Sequence, residues 1–191
     1  MSGAAPVIVI GSGGHARVVA DALLASGRTV LGFTDVDAAR HGQTLLGLPV
    51  LGGDEALAGW SPDAVELANG LGTVTVPAPG LALPRQRVQQ QLAAAGWRFV
   101  TVRHPSAVVS PFAGLATGVQ VMAGAVVQAG ARVGEGSLVN TGALIDHDVQ
   151  VGAYCHVAPG AVVCGDVCIG AGCHIGAGAV LRQGVALGDQ V

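Results

Sequence analysis

The second half of the chain repeats with a period of six residues. From Val109 to Leu187 an aliphatic residue recurs at every sixth position, and a small or β-branched residue lies two positions before each one. Glycine occupies most positions three residues after the aliphatic residue. Because side chains alternate between the two faces of a strand, each repeat predicts a short strand with two inward residues. The corner that follows needs the backbone freedom of glycine.

Stacked repeats of this kind bury a continuous aliphatic ladder and satisfy one another's backbone groups. The pattern resembles the hexapeptide-repeat, left-handed parallel β-helix, in which three repeats form one triangular coil. In that arrangement one face carries the outward residues Val108, Val126, Leu144, Val162 and Val180. A soluble monomer should not expose such a stripe, so we expect it to pack between subunits of a closed homotrimer.

The N-terminal segment, over 1–104, has a different pattern, which predicts a Rossmann-like α/β domain ahead of a β-helix domain over 105–191. Short apolar runs alternate with helical spacing in a βαβ order. The predicted elements are strands over 7–10, 30–33 and 99–102, and helices over 17–26 and 85–95. The segment over 54–80 is rich in proline and glycine and yields no defined element.

A glycine turn joins the first strand to the first helix. It reads Gly11-Ser12-Gly13-Gly14-His15-Ala16, a G-x-G-x-x-A pattern with Asp35 about 20 residues further on. Such a turn brings backbone N–H groups and a helix dipole to a phosphate. A dinucleotide enzyme and a tight turn without ligand are alternatives, although a segment of this length holds only half of a full dinucleotide domain. We favour the diphosphate of a nucleotide sugar, contacted by Gly13, Gly14 and His15, with Asp35 near the ribose or base.

The repeat is broken at one chemically distinctive corner. Asp148 occupies a position that is usually glycine, and His147 precedes it. Loss of a corner glycine carries strain, which favours a functional use of the position. Histidine is suited to accept a proton near neutral pH, and an adjacent carboxylate can orient the ring. The alternative is an exposed corner histidine with solvated neighbours.

Four segments, over 7–15, 104–110, 140–148 and 151–156, occur in an order that covers nearly the whole chain. Together they are similar to the nucleotide-sugar acetyltransferases of the bacillosamine N-acetyltransferase and sialic acid O-acetyltransferase family. This resemblance implies an acetyl-CoA-dependent N-acetyltransferase that acts on a UDP-4-amino-4,6-dideoxy sugar, for surface glycan or glycoprotein synthesis. An O-acetyltransferase of the sialic acid type and a non-catalytic nucleotide-sugar-binding β-helix protein remain alternatives.

The resemblance also implies roles for individual residues. His147 is the expected general base, which Asp148 tunes, and His156 is expected to contact acetyl-CoA. The backbone amide of Gly165 is expected to face the thioester carbonyl, where a fixed N–H can stabilise an oxyanion. His174 lies three repeats after His156 and should stack over it, which makes it a further candidate for CoA contact.

The repeat arithmetic separates the histidines in space. His147 follows a strand of the valine-rich face, at the corner opposite the face that carries His156 and His174. These groups cannot meet within one chain, so we expect the active site to lie between protomers. A zinc hydratase of the carbonic-anhydrase-like type is a further alternative, but the spacing of these histidines along the chain differs from the spacing in that class. We therefore expect no metal.

Composition narrows the function classes. The net charge is −3 without a basic run, which disfavours nucleic acid as a partner. Apolar runs are too short to span a membrane, and the N-terminus carries no basic segment typical of a secretion signal. The four cysteines lack C-x-x-C spacing, which favours free thiols in the cytoplasm.

Two segments limit the prediction. The segment over 67–80 departs from what the resemblance implies for a second glycine segment, so the sugar is left open. The repeat is still running at Val191, whereas relatives continue with a further turn and a tail. We therefore expect either a truncated chain or a more open CoA pocket.

Overall fold

The computed structural model describes residues 4–72 and 84–191, and its N-terminal part is built on a five-stranded sheet. The strands are β1 (Val7–Ile10), β2 (Val30–Thr34), β3 (Thr44–Leu45), β4 (Leu48–Gly52) and β5 (Glu66–Asn69). They lie in the order β3-β4-β2-β1-β5, with β3 antiparallel to β4 and the other pairs parallel. Strand β1, which pairs with β2 on one side and β5 on the other, is buried along its whole length, as its continuous apolar run predicts.

Two helices cover the sheet. Helix α1 spans Gly14–Ala25 and begins earlier than the predicted start at Arg17. The earlier start arises because the N–H of Arg17 already donates to the carbonyl of Gly13 (3.2 Å), so the end of the glycine turn is helical. Helix α2 spans Pro84–Ala94, close to the predicted range. Two 3₁₀ helices, at Ala38–Arg40 and Asp54–Gly59, complete this part.

The C-terminal part is a triangular prism of short parallel strands. They are β6 (Val102–Arg103), β7 (Val108–Val109), β8 (Gly114–Leu115), β9 (Gln120–Val121), β10 (Val126–Val127), β11 (Arg132–Val133), β12 (Leu138–Val139), β13 (Leu144–Ile145), β14 (Gln150–Val151), β15 (His156–Val157), β16 (Val162–Val163), β17 (Cys168–Ile169), β18 (His174–Ile175), β19 (Val180–Leu181) and β20 (Ala186–Leu187). Each strand pairs with the strand three repeats away, which gives three five-stranded sheets. We call them the valine face (β7, β10, β13, β16, β19), the mixed face (β8, β11, β14, β17, β20) and the histidine face (β6, β9, β12, β15, β18).

The aliphatic ladder fills the prism as the period of six predicts. Its residues from Val121 to Ile175 are buried in one continuous cluster, together with the small residues two positions before them. The glycines at the corners have positive φ angles, which glycine adopts without steric cost. Asp148, Tyr154, Asp166 and Gln190 occupy the same corner position with φ between 56° and 58°. The departure from glycine is therefore shared by four corners and does not by itself single out Asp148.

The two parts pack together through helix α1. One cluster joins Val19 and Leu23 of α1 to Val102, Met122 and Leu138 of the prism, so α1 lies between the sheet and the histidine face. The predicted single strand over 99–102 is wrong, because its residues divide between two sheets. Phe99 makes one parallel bridge to β5, and β6 then begins the prism.

The domain boundary that we place at residue 104 stays a proposal; β6 lies just before it. Within the described ranges, no helix has both the length and the apolar character needed to cross a membrane.

Candidate functional site

A pocket of about 540 Å³ opens at the N-terminus of α1, where the glycine turn meets the histidine face. Gly11 turns the chain with a φ of 89°, and a side chain there would collide with Leu71. Gly13 is the N-cap of α1, Gly14 its first residue, and both have open space where a Cβ would lie. The first N–H groups of a helix have no intrahelical acceptor and carry the positive end of its dipole. The turn is therefore shaped to receive an anion.

Asp35 follows β2 and also lines this pocket, directly beside the glycine turn. Its carboxylate accepts from the backbone N–H of Ser12 (2.9 Å) and of Asp37 (2.9 Å) and from the Ser12 hydroxyl (2.5 Å). Nη1 of Arg40 lies 3.8 Å from Oδ2 of Asp35. Partial burial would raise the pKa of Asp35, but these hydrogen bonds and the arginine charge outweigh it and lower the pKa. The carboxylate is thus ionised and holds the glycine turn in shape.

His15 connects the glycine turn to the prism. Its Nε2 lies 2.9 Å from Oε1 of Gln120 on the histidine face, and Nε2 of Gln120 donates to the carbonyl of Asn69 (2.7 Å). Burial and the positive charge of Arg85 lower the pKa of His15 to about 4. The ring is therefore neutral at pH 7 and donates to Gln120 from Nε2, since a neutral imidazole has one N–H donor.

Arg85 is a buried cation at the same junction. Its guanidinium donates to the carbonyls of Asn69 (3.0 Å), Leu71 (3.0 Å) and Gly136 (3.2 Å), the last on a prism corner. Burial lowers the pKa of Arg85 to about 10, so it stays protonated at neutral pH. It therefore holds the loop that lines one side of the pocket against the prism.

His156 is the prism histidine that lines this pocket, beside Asn140. Oδ1 of Asn140 accepts from the N–H of Thr141 (2.8 Å), so its amide nitrogen is the atom that faces Nε2 of His156 (3.0 Å). Burial, together with the neighbouring His174, His15 and Arg85, lowers the pKa of His156 to about 4. The neutral ring accepts at Nε2 and carries its proton on Nδ1, which is buried without a partner among the described residues.

His174 stacks over His156 as the spacing of three repeats predicts. The ring centroids are 4.7 Å apart and the planes cross at 83°. The backbone register therefore confirms the geometry of the pair, while contact of either ring with CoA stays a prediction.

His147 lies on another edge of the prism, at the corner between β13 of the valine face and β14 of the mixed face. Its Nδ1 is 3.0 Å from Oδ2 of Asp148, and 51% of the side chain is exposed. The hydrogen bond to Asp148 is the main cause that raises the pKa of His147. Desolvation opposes it, and the charges of Asp146, Asp148 and Asp166 assist it. With Nδ1 directed at the carboxylate, Nε2 is left to take a proton from a substrate.

Gly165 lies one coil beyond His147, and the imidazole packs directly on it. A Cβ at Gly165 would lie 2.5 Å from Cε1 and 3.1 Å from Cδ2 of the ring and would collide with Nε2. Asp166, the next residue, donates its N–H to the His147 carbonyl (3.1 Å). The absence of a side chain at Gly165 is therefore what lets the imidazole take this position.

The structure divides the predicted site residues into two groups. Gly13, Gly14, His15, Asp35 and His156 meet in the pocket of one chain. His147, Asp148 and Gly165 lie together on the opposite corner, which matches the expected separation of His147 from His156.

Sequence reasoning missed five residues of this site. Ser12 and Arg40 contact Asp35, Arg85 and Gln120 join the pocket to the prism, and Asn140 faces His156. Of these, Asn140 and Gln120 carried a signal, because both are polar at positions adjoining the histidine face.

The three prism histidines do not converge. His147 instead lies near Asp148 and Asp166, with ligand atoms within 4.8 Å of one another, all exposed. The cysteines are free, and Cys155 and Cys173 are buried inside the prism, two positions before the aliphatic residues of their repeats. Burial raises the pKa of Cys155 to about 11, which disfavours a thiolate nucleophile.

Two family models match the chain. The PglD N-terminal domain matches residues 6–76, and the bacterial transferase hexapeptide (six repeats) matches residues 148–183. No match was found among curated proteins.

Several solved structures are similar over most of their length. The acetyltransferase domain of PglB from Neisseria gonorrhoeae, in complex with acetyl coenzyme A, is 36% identical, with 98% of this chain and 86% of that chain covered and a TM-score of 0.86. PerB from Caulobacter crescentus, in complex with CoA and GDP-perosamine, is 37% identical, with 96% and 83% covered and a TM-score of 0.84. WeeI from Acinetobacter baumannii, 16% identical over 97% and 89% with a TM-score of 0.61, shares the fold.

Proposed function

Since this chain belongs to the hexapeptide-repeat nucleotide-sugar acetyltransferases, we propose that it acetylates the amine of a nucleotide-linked 4-amino-4,6-dideoxy sugar with acetyl-CoA. It combines a Rossmann-like domain with a left-handed β-helix and is an acetyl-CoA-dependent acetyltransferase. One observation carries the chemistry. His147 has its Nδ1 hydrogen-bonded to Asp148, which leaves Nε2 as a proton acceptor at an exposed corner. This is the arrangement that a general base requires.

The transfer is direct. The acceptor nitrogen attacks the thioester carbonyl carbon and forms the C–N bond, while Nε2 of His147 takes the proton that the amine loses. The carbonyl oxygen becomes an oxyanion, which the backbone N–H of Gly165 can stabilise. Collapse of this intermediate breaks the C–S bond, and the CoA thiolate leaves and is protonated by the imidazolium. Atoms and charges balance without a covalent enzyme intermediate.

The nucleotide sugar binds in the pocket at the N-terminus of α1. The diphosphate meets the N–H groups of Gly13, Gly14 and His15, where open space and the helix dipole favour an anion. The nucleoside extends toward Asp35 and Arg40. His156 lines the same pocket and His174 stacks above it, so this pair of rings is where we place the contact with acetyl-CoA. The PerB structure, with both CoA and GDP-perosamine, supports this pairing of ligands.

The active site forms between subunits of a homotrimer. On the valine face, Val108 is 62% and Val180 67% exposed, and such aliphatic surface favours burial against another copy. His147 and the pocket with His156 lie on different sides of one chain, so a neighbouring copy is needed to bring them together. Sedimentation at micromolar concentration tests this point: a monomer that retains full activity would contradict it. The free cysteines fit a reducing compartment, and we propose that the enzyme is cytoplasmic.

The proposed function is tested by CoA thiol release from acetyl-CoA. Acceptors are a UDP-4-amino-4,6-dideoxy sugar, GDP-perosamine and the parent sugars that carry a hydroxyl in place of the amine. We expect release with an amino sugar, lost in His147→Ala and retained in His104→Ala. His104 is a matched control because its ring contacts Ser106 and lies outside the pocket. Release with hydroxyl acceptors only would contradict N-acetylation, and release that survives His147→Ala would contradict the proposed base.

A further inference from the structure

The corner one coil above His147 carries a second carboxylate, Asp166. It lies three repeats after Asp148, so the two aspartates occupy the same edge of the prism. Asp166 has a φ of 58°, in the left-handed region that most other corners fill with glycine. A side chain in that region carries a conformational cost, though aspartate tolerates it better than most residues.

The contacts of Asp166 direct it at the base. Its backbone N–H donates to the carbonyl of His147 (3.1 Å), which fixes the spacing between the two turns. A ring nitrogen of His147, a carboxylate oxygen of Asp148 and a carboxylate oxygen of Asp166 lie within 4.8 Å of one another. Nε2 of Gln183, one coil further on, donates to Oδ2 of Asp166 (3.3 Å). The carboxylate is therefore held beside the imidazole rather than turned away from it.

The charged groups near the imidazole are all acidic. Asp146 and Asp148 lie on its own turn, and Asp166 lies on the turn above. The turn below presents Ala129, whose carbonyl accepts from Asp148, and Gly130, so it contributes no charge. Two carboxylates at this separation repel each other, and a proton on the imidazole between them relieves that repulsion. The raised pKa of His147 agrees with this arrangement.

We propose that Asp166 is a second positioning carboxylate for His147, which stabilises the imidazolium formed when the base accepts a proton. Asp148 acts through a hydrogen bond at Nδ1, whereas Asp166 acts through its charge from the adjacent coil. The role of the imidazolium in catalysis rests on the proposed acetyl transfer. The effect of Asp166 on the pKa of the His147 ring does not depend on that reaction, so it can be measured without a substrate.

The direct test is an NMR titration of the His147 imidazole in the full chain, with its signal assigned by His147→Ala. We expect Asp166→Asn to move the midpoint to lower pH, because it removes the charge and keeps the shape in a conformation that asparagine tolerates. Asp63→Asn, on an exposed loop of the other domain, is the matched control and should leave the midpoint in place. An unchanged midpoint in Asp166→Asn, or an equal shift in Asp63→Asn, overturns the proposal.

Asp166→Gly gives a second variant that restores the usual corner residue and removes the backbone strain. It should move the midpoint in the same direction without loss of stability, which separates the charge effect from misfolding. An unmoved midpoint in this well-folded variant would also overturn the proposal.

The kinetic test separates this inference from the proposed function. The rate should rise with pH as His147 loses its proton, and Asp166→Asn should move this rise to lower pH. We expect kcat at the plateau to fall roughly threefold with KM for the nucleotide sugar unchanged, because a weaker base transfers the proton more slowly. A shifted titration without acetyl transfer in any variant would support the role of Asp166 and refute the proposed function. Acetyl transfer with an unmoved pH profile would do the reverse.

Discussion

Replacement of Gly165 by alanine tests whether the imidazole of His147 must lie where the structure has it. An alanine Cβ would come within 2.5 Å of Cε1 and 3.1 Å of Cδ2, well inside ordinary contact distance. The ring must therefore retreat by about 1 Å, a displacement that can cost on the order of 100-fold in rate. Gly165 does not have a positive φ, and the displaced ring is half exposed, so the fold should tolerate the change. We expect a large loss of kcat with little loss of stability.

The assay is CoA thiol release with saturating acetyl-CoA and an accepted amino sugar, alongside thermal unfolding of each variant. Gly188→Ala is the matched control, since it adds the same methyl group to the prism in open space and at a corner away from His147. It should retain both activity and stability. If Gly165→Ala were as active as the unaltered chain while His147→Ala were inactive, the imidazole would not act from this position, and the geometric argument would be refuted.

Three further outcomes are expected. His147→Ala should lower kcat by about 100- to 10,000-fold. In the unaltered enzyme, activity should rise with pH because the neutral ring is the base, and the midpoint should lie above the ordinary pKa of histidine. The neutral form of His15 should stabilise the fold fully above pH 6.5 and lose that contribution as the pH falls towards 4, so denaturation of His15→Gln should depend less on pH in this window. Ile145→Ala should cost about 2–5 kcal/mol in a urea titration, whereas Val36→Ala, at a residue of the N-terminal part that is 89% exposed, should cost far less.

The period of six made most of the prism predictable, because it fixes local geometry at every repeat. Once three repeats form one coil, residues 18 positions apart are expected to stack on each other. His156 and His174 are such a pair, and the structure has them in register. The first βαβ unit was equally predictable, since a buried apolar run, a glycine turn and helical spacing follow one another in the sequence. The start of α1 was missed because glycine is a poor helix former, and so the helix was counted from Arg17.

The junction between the two parts could not be predicted in the same way. The contacts of Gln120 with His15 and Asn69 join residues far apart in the chain, and no periodic signal specifies how the domains dock. The buried position of Arg85 also depends on that docking, because a single arginine at the start of a helix is usually exposed. Asp166 could have been found from the sequence, because it is an acidic residue at the corner position that most repeats fill with glycine, three repeats after Asp148.

The polar junction between the glycine turn and the prism has a consequence for acceptor selection. His15 and Gln120 tie the start of α1 to the histidine face, and Arg85 ties the neighbouring loop to Gly136. A nucleotide bound at the glycine turn is therefore held at a constant height along the prism axis. The distance between the diphosphate and the reactive amine of the sugar then sets the position of the amine along that axis. In the proposed complex, an amine at another ring position would therefore not reach the thioester.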